Sequence, residues 1–391
     1  MKIVCKEEQC AGCMACVDIC PKGAISIKDN LQCYNAVINE ELCVNCDACQ
    51  KVCQSNHPAS TVTPISWQQG WTLQDEVRAK SSSGGAAAEL SRAFVASGGI
   101  VCSCVFMNGV FGFEFAETVD QLQKFVGSKY VKSNPVGIYK QISDKLKQEK
   151  KVLFIGLPCQ VSALKNFVLS KYQKNLYTVD LICHGTPSPR ILEKFLNQHH
   201  YSLKNLKDIC FRMKAKFQVF GDYKGIVTPG VSDRYTIAFL NGLTYTENCY
   251  SCQYAKRERV SDLTIGDSWG NELEAEEQEK GISLILCQTE KGTELLNNAR
   301  LHLESVDVDR AVMNNHQLHA PSNMPEGRYA FFHLLNEGKN FDSLVKKNFP
   351  KQCFRQDVKK ILIKAKIIGG GEKTGKMTYG ITVLEGEEKL Q

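Results

Sequence analysis

Lys151-Val152-Leu153-Phe154-Ile155-Gly156, running on into Leu157-Pro158-Cys159, is the stretch that decides the architecture. A short unbroken apolar run reads as a strand buried on both faces, as strands of parallel sheets are. Leu157-Pro158-Cys159 then turns the chain into a helical segment over 160–169. A second strand over 176–182 ends at Cys183, and His184-Gly185-Thr186-Pro187-Ser188-Pro189 leads into another helix. Strand, helix and strand in this order form a right-handed crossover, so the two strands should be parallel neighbours. Cys159 and Cys183 would then share the carboxyl edge of the sheet, where open α/β sheets hold their ligands.

Outward from this unit the pattern stays that of an α/β domain. Upstream lie strand-like stretches over 100–106 and 113–116 and helix-period stretches over 119–126 and Ile138–Lys147. Residues 58–70 are rich in Ser, Thr, Pro and Gln without periodicity and read as a linker. The expected organisation is a small cysteine-rich domain over 1–57, the linker over 58–70, an α/β domain over 71–330, and a C-terminal helix and tail over 331–391. The fold class is α+β: a small cysteine-rich domain, then an α/β domain with a mainly parallel sheet, then a flexible tail rich in Lys and Glu from Ile368-Gly369-Gly370-Gly371 onward.

Eight cysteines fall into two matching runs, Cys10-x2-Cys13-x2-Cys16-x3-Cys20-Pro21 and Cys43-x2-Cys46-x2-Cys49-x3-Cys53. In this spacing three thiolates of each run hold one [4Fe–4S] cubane and the fourth crosses to the other. Cluster I is therefore assigned Cys10, Cys13, Cys16 and Cys53, and cluster II Cys43, Cys46, Cys49 and Cys20. The alternatives are a zinc site or a disulfide framework, yet structural zinc takes four ligands, commonly as separated CxxC pairs. A CxxxCxxC run, as radical-SAM chemistry needs, is absent from the sequence.

Nineteen cysteines in 391 residues fit a reducing, cytoplasmic compartment. The first residues lack an apolar core of a secretory signal, and no apolar stretch reaches the roughly 18–20 residues that span a bilayer. A net charge of +6, spread along the chain, makes no case for nucleic acid. The sequence leaves oligomeric state open.

Cys249 and Cys252 form a further CxxC. With Cys159 and Cys183 they make a candidate third four-thiolate site, read as a third [4Fe–4S] cluster, with zinc, a redox dithiol or simple packing as alternatives. The remaining seven cysteines, Cys5, Cys33, Cys102, Cys104, Cys210, Cys287 and Cys353, read as packing. Ser81-Ser82-Ser83-Gly84-Gly85 before Ala86-Ala87-Ala88-Glu89-Leu90 reads either as a phosphate cradle at a helix start or as a loop with a serine cap. Asp267 and Trp269 read as a turn cap and a packing residue. No catalytic acid or base stands out.

Several of these stretches together resemble the coenzyme F420 hydrogenase/dehydrogenase beta-subunit family: residues 156–165, 180–189, the Cys249-x2-Cys252 pair, 262–270, and Ser82-Ser83-Gly84-Gly85 before the first helix. The resemblance spans 70–330, with a ferredoxin module in front. It implies an iron–sulfur flavoprotein oxidoreductase that binds FAD and exchanges electrons with a hydride carrier such as coenzyme F420, with an organic substrate, or with a redox partner protein. It implies Ser82, Ser83, Gly84 and Gly85 as contacts of the FAD phosphates. The competing readings are a non-catalytic electron-relay subunit of a larger complex and a ferredoxin-dependent reductase of a biosynthetic intermediate.

Overall fold

The structure is a computed structural model that describes residues 2–369. The expected tail from Ile368 onward lies almost wholly outside the described residues. At the front, β1 (Ile25–Asp29) and β2 (Tyr34–Ile38) form an antiparallel hairpin, accompanied by two short helices, Ala15–Ile19 and Ala48–Val52. The sequence repeat reappears in the backbone. Gly12 and Asn45 have φ of 62° and 55°, Met14 and Asp47 have 64° and 59°, and each helix ends on an extended cysteine, Cys20 or Cys53. Left-handed residues at these paired positions fold each CxxCxxC loop around a concave centre toward which backbone N–H groups converge.

Eleven strands follow: β3 (Ser66–Thr72), β4 (Ile100–Met107), β5 (Val110–Ala116), β6 (Val152–Gly156), β7 (Leu176–Leu181), β8 (Ile209–Met213), β9 (Lys216–Gly221), β10 (Lys224–Gly225), β11 (Leu263–Asp267), β12 (Ser283–Cys287) and β13 (Leu301–Ser305). Eight of them make one sheet in the order β13-β3-β12-β11-β7-β6-β4-β5. Its centre, β11-β7-β6-β4, is parallel, and both flanks are antiparallel. β8, β9 and β10 form a separate antiparallel sheet.

β6 shows why an unbroken apolar run was needed. Val152 and Phe154 face one layer with helices Ile138–Lys147 and Pro158–Phe167 and the cysteine-rich module. Leu153 and Ile155 face the opposite layer with helices Ala86–Ala96 and Glu290–Asn298. A polar residue on either face would be buried without water. A helical lobe built from Pro189–Gln198, Arg234–Leu240, Arg328–Asn336 and Phe341–Asn348 packs on the small sheet around a core of its own.

Three expectations change. β3 starts at Ser66, so the stretch expected as linker over 58–70 ends in a sheet strand that supplies pairing edges to β12 and β13. Residues 119–126 form only the tight helix Asp120–Phe125, too short for a full amphipathic helix. In place of one C-terminal helix there are three: Arg328–Asn336, Phe341–Asn348 and Pro350–Lys364.

Candidate metal centres and cofactor site

The strand directions bring the chemistry to one edge. β3 runs antiparallel to β12, β12 antiparallel to β11, and β11 parallel to β7 and β6. The carboxyl ends of β3, β11, β7 and β6 therefore lie on the same side, and these lead into the Ser81–Gly85 loop, Asp267, Cys183 and Cys159.

In the front module, Cys10, Cys13, Cys16 and Cys53 line one small cavity together with Cys5. Burial pushes the Cys13 and Cys16 thiols up, and neighbouring thiolates of the same set push them further. Cys5, expected to be mere packing, lines the same cavity as Cys10 and Cys53; it lowers their thiols while its own rises. Gly12 has no room for a side chain: a Cβ would lie 2.6 Å from Tyr34 Cδ1 and 2.9 Å from Tyr34 O. The second set sits nearer the surface. Cys43 and Cys49 share an electrostatic environment, Cys46 is exposed, and the sulfur of Cys20 accepts a hydrogen bond from the Ala24 N–H at 3.3 Å.

Cys159, Cys183, Cys249 and Cys252 all line a single cavity of about 210 Å³. Each is placed by a separate device. Cys159 is the second residue of helix Pro158–Phe167, whose first turn is closed by the Leu157 N–H donating to Gln160 Oε1 at 3.0 Å. Cys183 follows β7, six positions before its helix begins at Pro189, so a helix start adjoins Cys159 alone. The Cys249–Cys252 turn is stitched to the loop after β7, with Thr246 N–H donating to Thr186 O at 3.0 Å and a bridge between Pro187 and Tyr245. Gly185 lets the Tyr245 ring approach, since a Cβ there would lie 2.4 Å from it. Below, Arg259 joins Tyr254 O (2.7 Å) to Asp180 on β7 (3.0 Å) and Thr264 on β11 (3.2 Å), with both charged side chains buried.

Burial pushes the Cys159, Cys183 and Cys252 thiols up, and each is raised further by other cysteines of the set. Four crowded thiolates repel one another unless a cationic core lies between them, and soft sulfur donors suit iron–sulfur or zinc. The donor set therefore fits a [4Fe–4S] group. Among the described residues, no three His, Cys, Asp or Glu side chains stand at the spacing of a single metal ion.

Residues next to the cluster I cysteines also line this cavity: Ala11, Gln54 and Ser55. Three side chains near this cavity bond the residues around cluster I. Lys132 Nζ donates to Ala11 O at 2.8 Å, Tyr139 Oη to Cys13 O at 2.8 Å, and Tyr254 Oη to Gln54 Oε1 at 2.5 Å. His184 also lines the cavity, held neutral by burial with its pKa pushed down to about 4, and bonded through Nδ1 to Gln317 at 2.8 Å.

Beyond His184 come Arg212 and Asp267, paired at 2.6 and 3.0 Å, with Arg212 over the rings of Phe217 and Trp269. Asp267 is thus an ion-pair partner rather than a turn cap. Next to them is the Ser81–Gly85 loop. Ser83 Oγ donates to Ile282 O (2.8 Å), and Ser82 Oγ accepts from Ser128 N–H (3.1 Å). Gly84 packs so tightly that a Cβ would lie 2.4 Å from Gly70 O, and Gly85, with φ of 86°, precedes helix Ala86–Ala96. Lys214 Nζ donates to Ser83 O at 3.0 Å and to Arg78 O.

Residues 149–310 match the family described as the C terminus of the coenzyme F420 hydrogenase/dehydrogenase beta subunit, and residues 9–57 match the 4Fe-4S dicluster domain. The chain joins a 4Fe-4S dicluster domain to a coenzyme F420 hydrogenase/dehydrogenase beta-subunit region. Among solved structures it is similar to a chain of the F420-reducing [NiFe] hydrogenase complex from Methanosarcina barkeri, at 18% identity over 66% of this chain and 91% of that one, with a TM-score of 0.44. No curated protein matches. The protein is thus an iron–sulfur electron-transfer protein related to the F420 hydrogenase beta subunit.

The dicluster match contains all eight cysteines of the two paired runs, and the beta-subunit match contains all four of the 210 Å³ cavity. The Ser81–Gly85 loop lies outside both. Sequence reasoning missed Cys5, Lys132, Tyr139 and Tyr254, none of which belongs to a motif; only their long-range packing marks them. No helix among the described residues of this beta-subunit relative is long and apolar enough to cross a membrane.

Proposed function

We propose that the protein is an iron–sulfur flavoprotein oxidoreductase that links a one-electron donor to a two-electron acceptor of the F420 kind or an organic substrate. When bound, [4Fe–4S] clusters carry single electrons and FAD exchanges one or two. Cys10, Cys13, Cys16 and Cys53 hold the inner cluster of the module, and Cys43, Cys46, Cys49 and Cys20 the outer one. Cys159, Cys183, Cys249 and Cys252 hold a third. Ser82, Ser83, Gly84 and Gly85, with Lys214 behind them, receive the FAD phosphates at the start of helix Ala86–Ala96.

One observation carries this reading: four thiols from three separate loops meet on one cavity that residues next to the cluster I cysteines also line. Unrelated packing cysteines have no reason to converge so. Lys132, Tyr139 and Tyr254 fix the module's loops against the sheet edge.

A relay protein without flavin is favoured by one point, the use of the Ser83 hydroxyl by the chain's own backbone. Anaerobic purification decides between them. Heat should release about one FAD per chain, and Cys159→Ser with Cys183→Ser should remove about four of some twelve irons. Iron without flavin leaves the relay, and unchanged iron in the double variant rejects the third site.

A further inference from the structure

Lys132 is 4% exposed, and no motif accounts for it. Its side chain reaches from the segment after β5 into the gap between the cluster I loop and the four-thiol cavity. The ammonium donates to Ala11 O at 2.8 Å, between Cys10 and Cys13. Its methylene stem lies 3.3 Å from where a Cβ on Gly12 would be. The same side chain lines the cavity of Cys159, Cys183, Cys249 and Cys252, and its charge favours the Cys159 thiolate. Its backbone is pinned as well, the N–H donating to Pro187 O at 2.9 Å in the loop that follows Cys183. No carboxylate is paired with it among the described ion pairs; besides Ala11 O, its ammonium has the Tyr34 ring at 6.0 Å.

We propose that Lys132 is a positioning residue whose single positive charge is shared by the inner module cluster and the third cluster, raising the reduction potential of both. The inference rests on the cluster assignments above. A fixed cation in a low-dielectric gap stabilises the more negative, reduced form of each neighbour. The charge acts on each site independently, so its removal should move both potentials in the same direction.

Potentiometric titration followed by electron paramagnetic resonance tests this on the full chain, with iron assayed in parallel. Lys132→Met and Lys132→Gln should lower two of the three midpoint potentials and leave the outer cluster unmoved, while Lys132→Arg should stay near the parent protein. Gln retains a donor for Ala11 O, so a mere structural prop would survive in it. Unchanged potentials at full iron in Lys132→Gln overturn the proposal. Loss of the clusters from both neutral variants also overturns it, because support of the loop would then explain the residue. If the parent protein itself shows only two clusters, the third-site assignment fails instead, and that result is separate.

Discussion

At the scale of single residues, the two cysteine loops repeat one another in backbone as well as in spacing. The paired runs announced eight thiols, and the matching φ angles of Gly12 with Asn45 and Met14 with Asp47 show that spacing and backbone carry one code. Cys5 belongs to no spacing, so only the folded chain reveals it beside Cys10 and Cys53. Lys214 is a similar case. Burial, with Arg78 and Arg212 nearby, lowers its pKa to about 8, so the ligand-free protein loses this charge as pH rises through that value. A bound diphosphate favours the charged form, which links flavin binding to protonation. FAD affinity of flavin-stripped protein should therefore be highest below about pH 8 and fall above it, by at most about tenfold per pH unit for one proton. Lys214→Gln should bind more weakly and lose that slope; fluorescence quenching across the range measures both. An identical slope in the variant removes Lys214 from the site.

At the scale of elements, β6 was legible because residues 152–155 are an unbroken apolar run with few other homes; β7, interrupted by Thr178 and Asp180, was legible by its place after the helix, and their parallel pairing followed from the crossover. β3 was not legible: Ser66-Trp67-Gln68-Gln69-Gly70-Trp71-Thr72 has little apolar content, and its strand character comes from β12 and β13 on either side. The turn that carries Cys249 and Cys252 is seated in part by a buried charged pair. Arg259 and Asp180 are both buried, and Arg259 also holds Tyr254 O, two residues past Cys252. Removing one partner strands the other in a dry interior, so Arg259→Met should destabilise the protein by about 3–5 kcal/mol. Denaturant unfolding of the anaerobic holoprotein reads that loss. A change below about 1 kcal/mol would show that water reaches Asp180 and that the pair does not seat the turn.

At the scale of the whole molecule, the sequence suggested a module tethered by a linker, whereas the structure shows a module bolted down. Asp18 accepts the Gly137 N–H at 2.7 Å, Asn166 donates to His57 O at 2.6 Å, and Tyr254 donates to Gln54 at 2.5 Å. Such bonds join residues far apart in sequence, which is why no local pattern foretold them. Combining Tyr254→Phe with Asn166→Ala should loosen this seam and speed limited proteolysis within 58–65, with the cysteine-rich front module released as a fragment; an unaltered cleavage rate would mean that apolar contact alone holds the seam. The seam also sets an inside and an outside. Its buried face covers Cys13 and Cys16, while Cys46 is left bare at the opposite tip, flanked by exposed Leu42 and Val44. Sulfur oxidation follows accessibility. Dioxygen therefore meets this protein at its outermost thiol first, and corrosion in air advances from that tip toward the sheltered interior.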